Sequence, residues 1–240
     1  MSDLLTINPA LDIDRLAATF AANGWIQIRD VLTVPSAEAI RQVLVDDTPW
    51  GLSWQAEPGE PQYVPADQLA GIDPAYIQST TAQLTRARRG QAYSYAFYSA
   101  PLTLAEEGAI ETPLELLFAD LNERPFLDLM RAVTGQTDVV RVDGQATLFV
   151  GGHHLAAHTD DVPVEGRRVA YVLSMTKGEW RPEWGGYLNF LAADGDVEVG
   201  LRPRFNCLNM FTVPRWHHVA QVLGVAPVAR YAVTGWGKDR

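Results

Sequence analysis

The chain holds five histidines, His153, His154, His158, His217 and His218, and all five fall in two short segments far apart in sequence. An acid stands beside the first group, in His158-Thr159-Asp160. Read as strand, that tripeptide puts His158 and Asp160 on one face, because side chains two apart share a side. A histidine from the distant His217-His218 pair would complete a face of two imidazoles and one carboxylate. This ligand set suits non-haem Fe(II): three protein ligands on an octahedral ion leave three positions for a chelating cosubstrate and O2. The single carboxylate leaves the site net positive and attractive to a dianionic oxoacid. A carboxylate at Asp160 also excludes the halogenating variant of this chemistry, in which that ligand is missing so that chloride can bind.

A lone histidine is more often structural than chemical, and His-x-Asp alone is a weak signal. The downstream sequence strengthens it. Arg230 stands thirteen positions after His217 (230 − 217), in Ala229-Arg230-Tyr231-Ala232-Val233-Thr234-Gly235-Trp236. Strand alternation places Arg230, Ala232 and Thr234 on one side. A guanidinium aimed into a β-rich interior is costly unless paired, since it cannot deprotonate. A bound carboxylate would pair it in fork geometry.

The elements that must position these residues divide the chain in two. Asn8-Pro9 followed by Leu11, Ile13, Leu16 and Phe20 reads as a capped helix ended by Asn23-Gly24, and Trp25–Arg29 as a strand. Pro35-Ser36 opens a second helix, residues 76–90 a third, and Pro113–Gly135 holds two more. Residues 47–75 have no sustained period and are expected to form one long irregular segment, of the kind that often binds or covers ligands. Ala92–Tyr98 reads as a strand; its Tyr93, Tyr95 and Tyr98 are candidates for a substrate groove, though an aromatic stripe is more often core. From Asp138 the texture changes to short strands with turn signals between them: Val139–Val142, Gln145–Val150, His154–His158, Arg168–Met175, Gly186–Leu191, Val197–Leu201, Cys207–Val213, His218–Leu223 and Arg230–Trp236. The expectation is an all-β core, a jelly roll, over about residues 138–240, buttressed by N-terminal helices over about 1–137, in one domain spanning 1–240.

Composition narrows the partners. The chain has 240 residues, 47% of them hydrophobic, and a formal net charge of −10 from 29 acidic and 19 basic residues. That balance argues against nucleic acid as a partner and favours small molecules or a basic protein surface. The single cysteine, Cys207, allows no internal disulfide and sits on the apolar face of a strand as a packed thiol. Met1-Ser2-Asp3-Leu4-Leu5 has no basic region before an apolar run, and no stretch approaches the roughly 18 apolar residues of a membrane span. A cytoplasmic protein with no membrane partner is expected; the sequence says nothing of its oligomeric state.

Taken together, these residues resemble 2-oxoglutarate/Fe(II) dioxygenases of the prolyl 4-hydroxylase type, and look most like bacterial relatives of the ribosomal-protein prolyl hydroxylases. The resemblance covers about residues 145–240 and rests on an ordered set: His158-Thr159-Asp160-Asp161, Arg167–Leu173, Trp184-Gly185-Gly186-Tyr187-Leu188, and the His217 and Arg230 segments. The Gly24-Trp25 to Leu32 stretch fits more loosely. The resemblance implies a double-stranded β-helix, Fe(II) held by His158, Asp160 and His217, and Arg230, with Thr234 on its face, binding 2-oxoglutarate. It favours His217 over His218 because the family places its ligand before an x-Val pair, as in His217-His218-Val219. It also implies O2 as co-reactant, ascorbate as a stimulant, and hydroxylation of a prolyl residue in a protein or peptide.

The departures from the family pattern bear on the cosubstrate and substrate. Phe149 stands where relatives carry a tyrosine before His-x-Asp, and Ser174 where some place a cosubstrate-binding tyrosine. The second carboxylate contact is therefore open. Phe149, Trp236 and His154 are candidates for substrate contact or for support of the metal, and His154 is placed either on the face of His158 or as a hydrogen-bonded histidine at the rim. Gly185-Gly186 is expected at a bend where another backbone approaches. Asp161 and Arg168 read either as a pair near the iron or, preferably, as solvated charges.

Three rival readings remain: a hydroxylase of a free amino acid or other small metabolite on the same fold, a non-enzymatic β-barrel binding module, and a hydrolytic zinc enzyme. The binding module leaves a complete ligand set unexplained. The zinc enzyme gives no reason for Arg230.

Overall fold

The computed structural model describes residues 4–90, 92–103 and 110–240; Met1–Asp3, where the reading of the N-terminus begins, lie outside them. Among the described residues there are six α-helices: α1 Ile13–Asn23, α2 Val34–Gln42, α3 Ala66–Leu69, α4 Pro74–Arg89, α5 Pro113–Leu121 and α6 Arg124–Thr134. Local chemistry sets their ends. Asp12, not Asn8, caps α1 by accepting from the Arg15 amide, and Gly24 at φ 68° ends it; Asn8 instead folds its own turn by accepting from Ala10. Thr112 and Glu115 form a capping box at α5. No described helix is long and apolar enough to cross a membrane.

Thirteen strands among the described residues form one antiparallel sheet: β1 Trp25–Arg29, β2 Gly51–Ala56, β3 Gln62–Val64, β4 Ser94–Pro101, β5 Arg141–Val142, β6 Gln145–Phe149, β7 His154–His158, β8 Arg167–Ser174, β9 Leu188–Leu191, β10 Val197–Leu201, β11 Cys207–Thr212, β12 His217–Val219 and β13 Arg230–Lys238. Their order is β1-β11-β8-β13-β6-β4-β7-β12-β9-β10, with β2 and β3 added beside β4 and β5 beside β13. The sheet curls into a jelly-roll core. Inward residues of β8, β9, β11 and β13 (Ala170, Val172, Phe190, Phe211 and Ala232) meet in one apolar cluster across its interior.

The alternate residues of the same strands (Val169, Tyr171, Leu173, Leu208, Met210 and Val233) point outward and carry the larger core with α2, α5, α6 and Phe20 of α1. The buttressing helices expected from sequence are therefore present, and burial of that outer face is what holds them. β1 and β4 are the strands expected at Trp25–Arg29 and Ala92–Tyr98, and β4 bridges β6 and β7 within the sheet. One expectation needs correction. Residues 47–75 are not one irregular segment: they contain β2, β3 and α3. β2 is specified by pairing with β4, Leu52 against Tyr98 and Trp54 against Ala96, a partnership no local period reveals.

A candidate metal and cosubstrate site

His158 ends β7 and His217 begins β12, and the two are paired across the ladder. Asp160 lies past the end of β7, at φ 62°. Strand alternation is thus not what brings His158 and Asp160 together; a left-handed turn does, a conformation that costs a non-glycine residue energy and is concentrated at functional sites. The ligand atoms of His158, Asp160 and His217 all lie within 4.8 Å of one another. His158 Nε2 is 3.1 Å from Asp160 Oδ1, and His217 Nε2 is 3.4 Å from Asp160 Oδ2.

Both rings are oriented from behind. The Ala156 carbonyl accepts from His158 Nδ1 at 2.9 Å, and the Arg215 carbonyl accepts from His217 Nδ1 at 2.8 Å. Protons held there leave both Nε2 lone pairs directed at the shared point with Asp160, the arrangement a metal requires. Burial, with the neighbouring His158 ring, draws His217 down to about 4 against the pull of Asp160, so it is neutral at physiological pH. Burial works to raise the Asp160 carboxyl, but the His158 hydrogen bond, the two imidazole charges and the Trp236 indole outweigh it and hold the carboxyl below its ordinary range. A neutral imidazole and an ionised carboxylate are what a divalent cation binds.

The adjacent histidine behaves differently. His218 is half-buried on the other face of β12, its Nε2 3.0 Å from Asn189 Nδ2, and does not line the cavity. That cavity has a volume of about 480 Å3. Arg230 and Thr234 of β13 line it, opposite Phe149 and Gln145 of β6 in the ladder.

Arg230 is 4% exposed, has no acidic partner among the described residues, and leaves its Nε without a hydrogen bond. Its guanidinium lies 4.9 Å from the Phe149 ring, which stacks on Phe97 at 4.9 Å. Burial pulls Arg230 down to about 10, still cationic at neutral pH. A buried cation beside an open cavity fits an incoming carboxylate. Phe149 therefore supports Arg230 with its ring and contributes no hydroxyl.

Trp236 also lines the cavity, its indole Nε1 buried without a hydrogen-bond partner though near enough to Asp160 to favour the charged carboxylate. Arg167 stacks on Trp236 at 3.6 Å and donates to the Asp160 carbonyl at 3.3 Å. The sequence reading missed Arg167, as it missed Gln145 and Thr147, which line the cavity as the same-face alternates of Phe149 on β6. Strand alternation back from Phe149 was the signal that could have found those two.

Other candidates fall elsewhere. His154 is on the outer face of the sheet, its Nε2 3.1 Å from Ser94 Oγ, and does not line this cavity. The cause is a bulge: His217 pairs with His158 but Val219 with Leu155, so three residues of β7 span two of β12 and the alternation reverses. Ser174 accepts from the Arg204 amide and is turned away from the cavity. Tyr93, Tyr95 and the buried Phe97 line the cavity, while Tyr98 faces His153 on the other side. Arg168 pairs with Asp138 and Asp239 and not with Asp161, which is exposed and lines the cavity. Gly185, at φ 67°, lies where an added Cβ would sit 1.9 Å from the Gln221 carbonyl, the close approach expected there.

Residues 144–238 match the family model of the 2OG-Fe(II) oxygenase superfamily. Solved structures that share the fold include the following three. A Pseudomonas putida prolyl-4-hydroxylase aligns at TM-score 0.58 and 19% identity, covering 95% of this chain and 99% of that one. A 2OG-Fe(II) oxygenase family oxidoreductase from Burkholderia pseudomallei aligns at 0.62 and 9%, covering 100% and 97%. A Trichoplax adhaerens prolyl hydroxylase in complex with a hypoxia inducible factor peptide aligns at 0.61 and 16%, covering 95% and 89%. No curated protein is significantly similar in sequence.

Proposed function

We propose, from the premise that residues 144–238 are a 2OG-Fe(II) oxygenase domain and the chain accordingly a 2-oxoglutarate-dependent dioxygenase, that it hydroxylates a prolyl residue in a protein or peptide. In this reading His158, Asp160 and His217 hold Fe(II), Arg230 anchors the distal carboxylate of 2-oxoglutarate, and residues 1–240 act as one catalytic domain. The observation that carries it is the pairing, in one cavity, of a two-imidazole, one-carboxylate cluster with a buried guanidinium that has no acid of its own. Prolyl specificity is supported by the prolyl hydroxylases among the structural relatives.

Fe(II) bound here supplies the O2 chemistry that couples decarboxylation of 2-oxoglutarate to succinate with insertion of one oxygen atom into a C–H bond. The chain's own part is placement. The Ala156 and Arg215 carbonyls fix both imidazoles, and Arg167 braces the Asp160 turn against Trp236. Arg230 and Thr234 orient the cosubstrate from the deep end, and Phe97 and Phe149 keep that end dry. Tyr93 and Tyr95 line the cavity, where an aromatic face suits a prolyl ring. Burial pushes the Tyr93 phenol up, so it enters as a neutral hydroxyl.

The test is succinate formation with Fe(II) and 2-oxoglutarate, run against prolyl peptides and against free amino acids. Peptide-dependent succinate with gain of one oxygen on proline is expected. Turnover with free amino acids alone would move the substrate to the metabolite class and leave the reaction type standing.

A further inference from the structure

A second cavity, of about 310 Å3, lies outside the barrel between α4 and the outer face of β2, β4 and β7. A helix laid on a sheet ordinarily turns an apolar stripe towards it. Here α4 presents Thr80, Thr81 and Thr85 along with Ile77, Leu84 and Arg88, and only Thr80 and Ala87 of the helix are buried. The space is therefore not closed by packing. Leu52 and Trp54 make its apolar wall.

Two polar atoms are stranded in it. His154 Nδ1 and Thr80 Oγ1 are buried without hydrogen-bond partners, in residues each 7% exposed. The His154 proton can be placed. Ser94 is fully buried, and its hydroxyl has His154 Nε2 as its described partner at 3.1 Å. A buried hydroxyl with one neighbour donates to it, because an unmade donor is costly. The ring proton then sits on Nδ1 and needs an acceptor. The nearby Gly152 carbonyl, which accepts Gln221 Nε2 at 3.1 Å, does not meet hydrogen-bond geometry with it.

At the same cavity Arg88 donates to Gln221 Oε1 at 3.0 Å and has no acidic partner among the described residues, in a chain of net charge −10. We propose that this cavity binds a small amphipathic carboxylate, its apolar body against Trp54, Leu52 and Leu84 and its carboxylate held by Arg88 and the His154 Nδ1–H. A neutral apolar ligand would leave the stranded donor unmet, and a cation would face Arg88. The volume, at the lower end for ligand sites, fits a short aliphatic or single-ring acid. None of these groups lines the cavity of His158, Asp160 and His217, so the proposal stands apart from the oxygenase reading.

Calorimetric titration of the full chain with hexanoate, and with hexanol as its neutral counterpart, tests this. Saturable 1:1 binding of hexanoate is expected, at least about fivefold tighter than hexanol and unchanged by added 2-oxoglutarate. Arg88→Gln should weaken it at least about fivefold, a modest factor because that side chain is partly solvated. Thr81→Phe, which fills the space from an exposed helix position, should abolish it. Both substitutions sit on the surface of α4, and a melting curve shows whether each variant is folded. Absence of saturable binding, equal affinity for hexanol, indifference to Arg88→Gln, or competition by 2-oxoglutarate would each overturn the proposal.

Discussion

At the residue scale the chemistry turns on which side chains are left without partners. Arg230 is buried and cationic with no acidic partner among the described residues, while each ring nitrogen facing away from the His158–Asp160–His217 point is satisfied by a carbonyl. A charge-assisted bidentate contact is worth about 1.5–3 kcal/mol, and each 1.4 kcal/mol is a factor of ten. Arg230→Ala is therefore expected to raise the KM for 2-oxoglutarate at least about tenfold, with metal affinity unchanged. Lys at 230 should rescue in part, since an ammonium lacks the planar fork. A folded Arg230→Ala protein with an unaltered KM would remove Arg230 from the cosubstrate. The histidines make a second test. His158→Ala, Asp160→Ala and His217→Ala should each abolish succinate formation, whereas His218→Ala, which loses only an Asn189 contact, should keep much of it. The reverse order for His217 and His218 would shift the ligand by one residue.

At the scale of elements, the site depends on irregularities. The bulge in β7 turns Leu155 and His158 inward together, and the left-handed turn at Asp160 folds the acid back beside the imidazole. Gly185 marks another such point, where the turn before β9 meets the segment after β12. Its Cβ position lies 1.9 Å from the Gln221 carbonyl, a backbone atom that cannot swing away. Gly185→Ala should destabilise by on the order of 2–3 kcal/mol, combining left-handed strain with displacement of that backbone. Gly178, at φ 89° with nothing within 4 Å, is the control. Gly178→Ala carries the backbone cost alone, about 1 kcal/mol. The two denaturation midpoints separate the effects, and equal shifts would show that the close approach at Gly185 carries no weight.

For the whole molecule, a metal that binds the folded chain and not the unfolded one raises stability by mass action. At a hundred times its Kd that gain is about 2.7 kcal/mol. For a chain of this size it corresponds to roughly 5–10 °C in Tm. Fe(II) or Mn(II) should produce the shift in the wild type and in His218→Ala, and a chelator should reverse it. His217→Ala should show none, and a shift that survives there would place the metal elsewhere. Cys207 is fully buried between β1 and β8, and burial pushes its thiol up to about 12. Alkylation at pH 8 should therefore require unfolding. Rapid labelling of the native chain would mean that the β1 edge opens.

Residue types, short periods and the family resemblance they carry were enough to read the reaction class from sequence. A histidine, an acid, a second histidine and an arginine, in that order, point to a metal and a carboxylate ligand. The two-residue period of β13 already puts Arg230 and Thr234 on one face, and that of β12 separates His217 from His218. What alternation misjudged were the places where it is interrupted. His154 and His158 would share a face in a regular strand, and one bulge, visible only against β12, parts them. Asp160 reaches His158 through a turn and not through the pleat. β2 has no local signature because its partner β4 lies some forty residues away, at Ser94–Pro101. Arg167 beside Trp236, and the unfilled space under α4, arise from side chains that meet across the sheet or between layers. Periodicity belongs to the local chain and can be read along it; pairing across long separations is settled only when the layers close and each strand finds its neighbour.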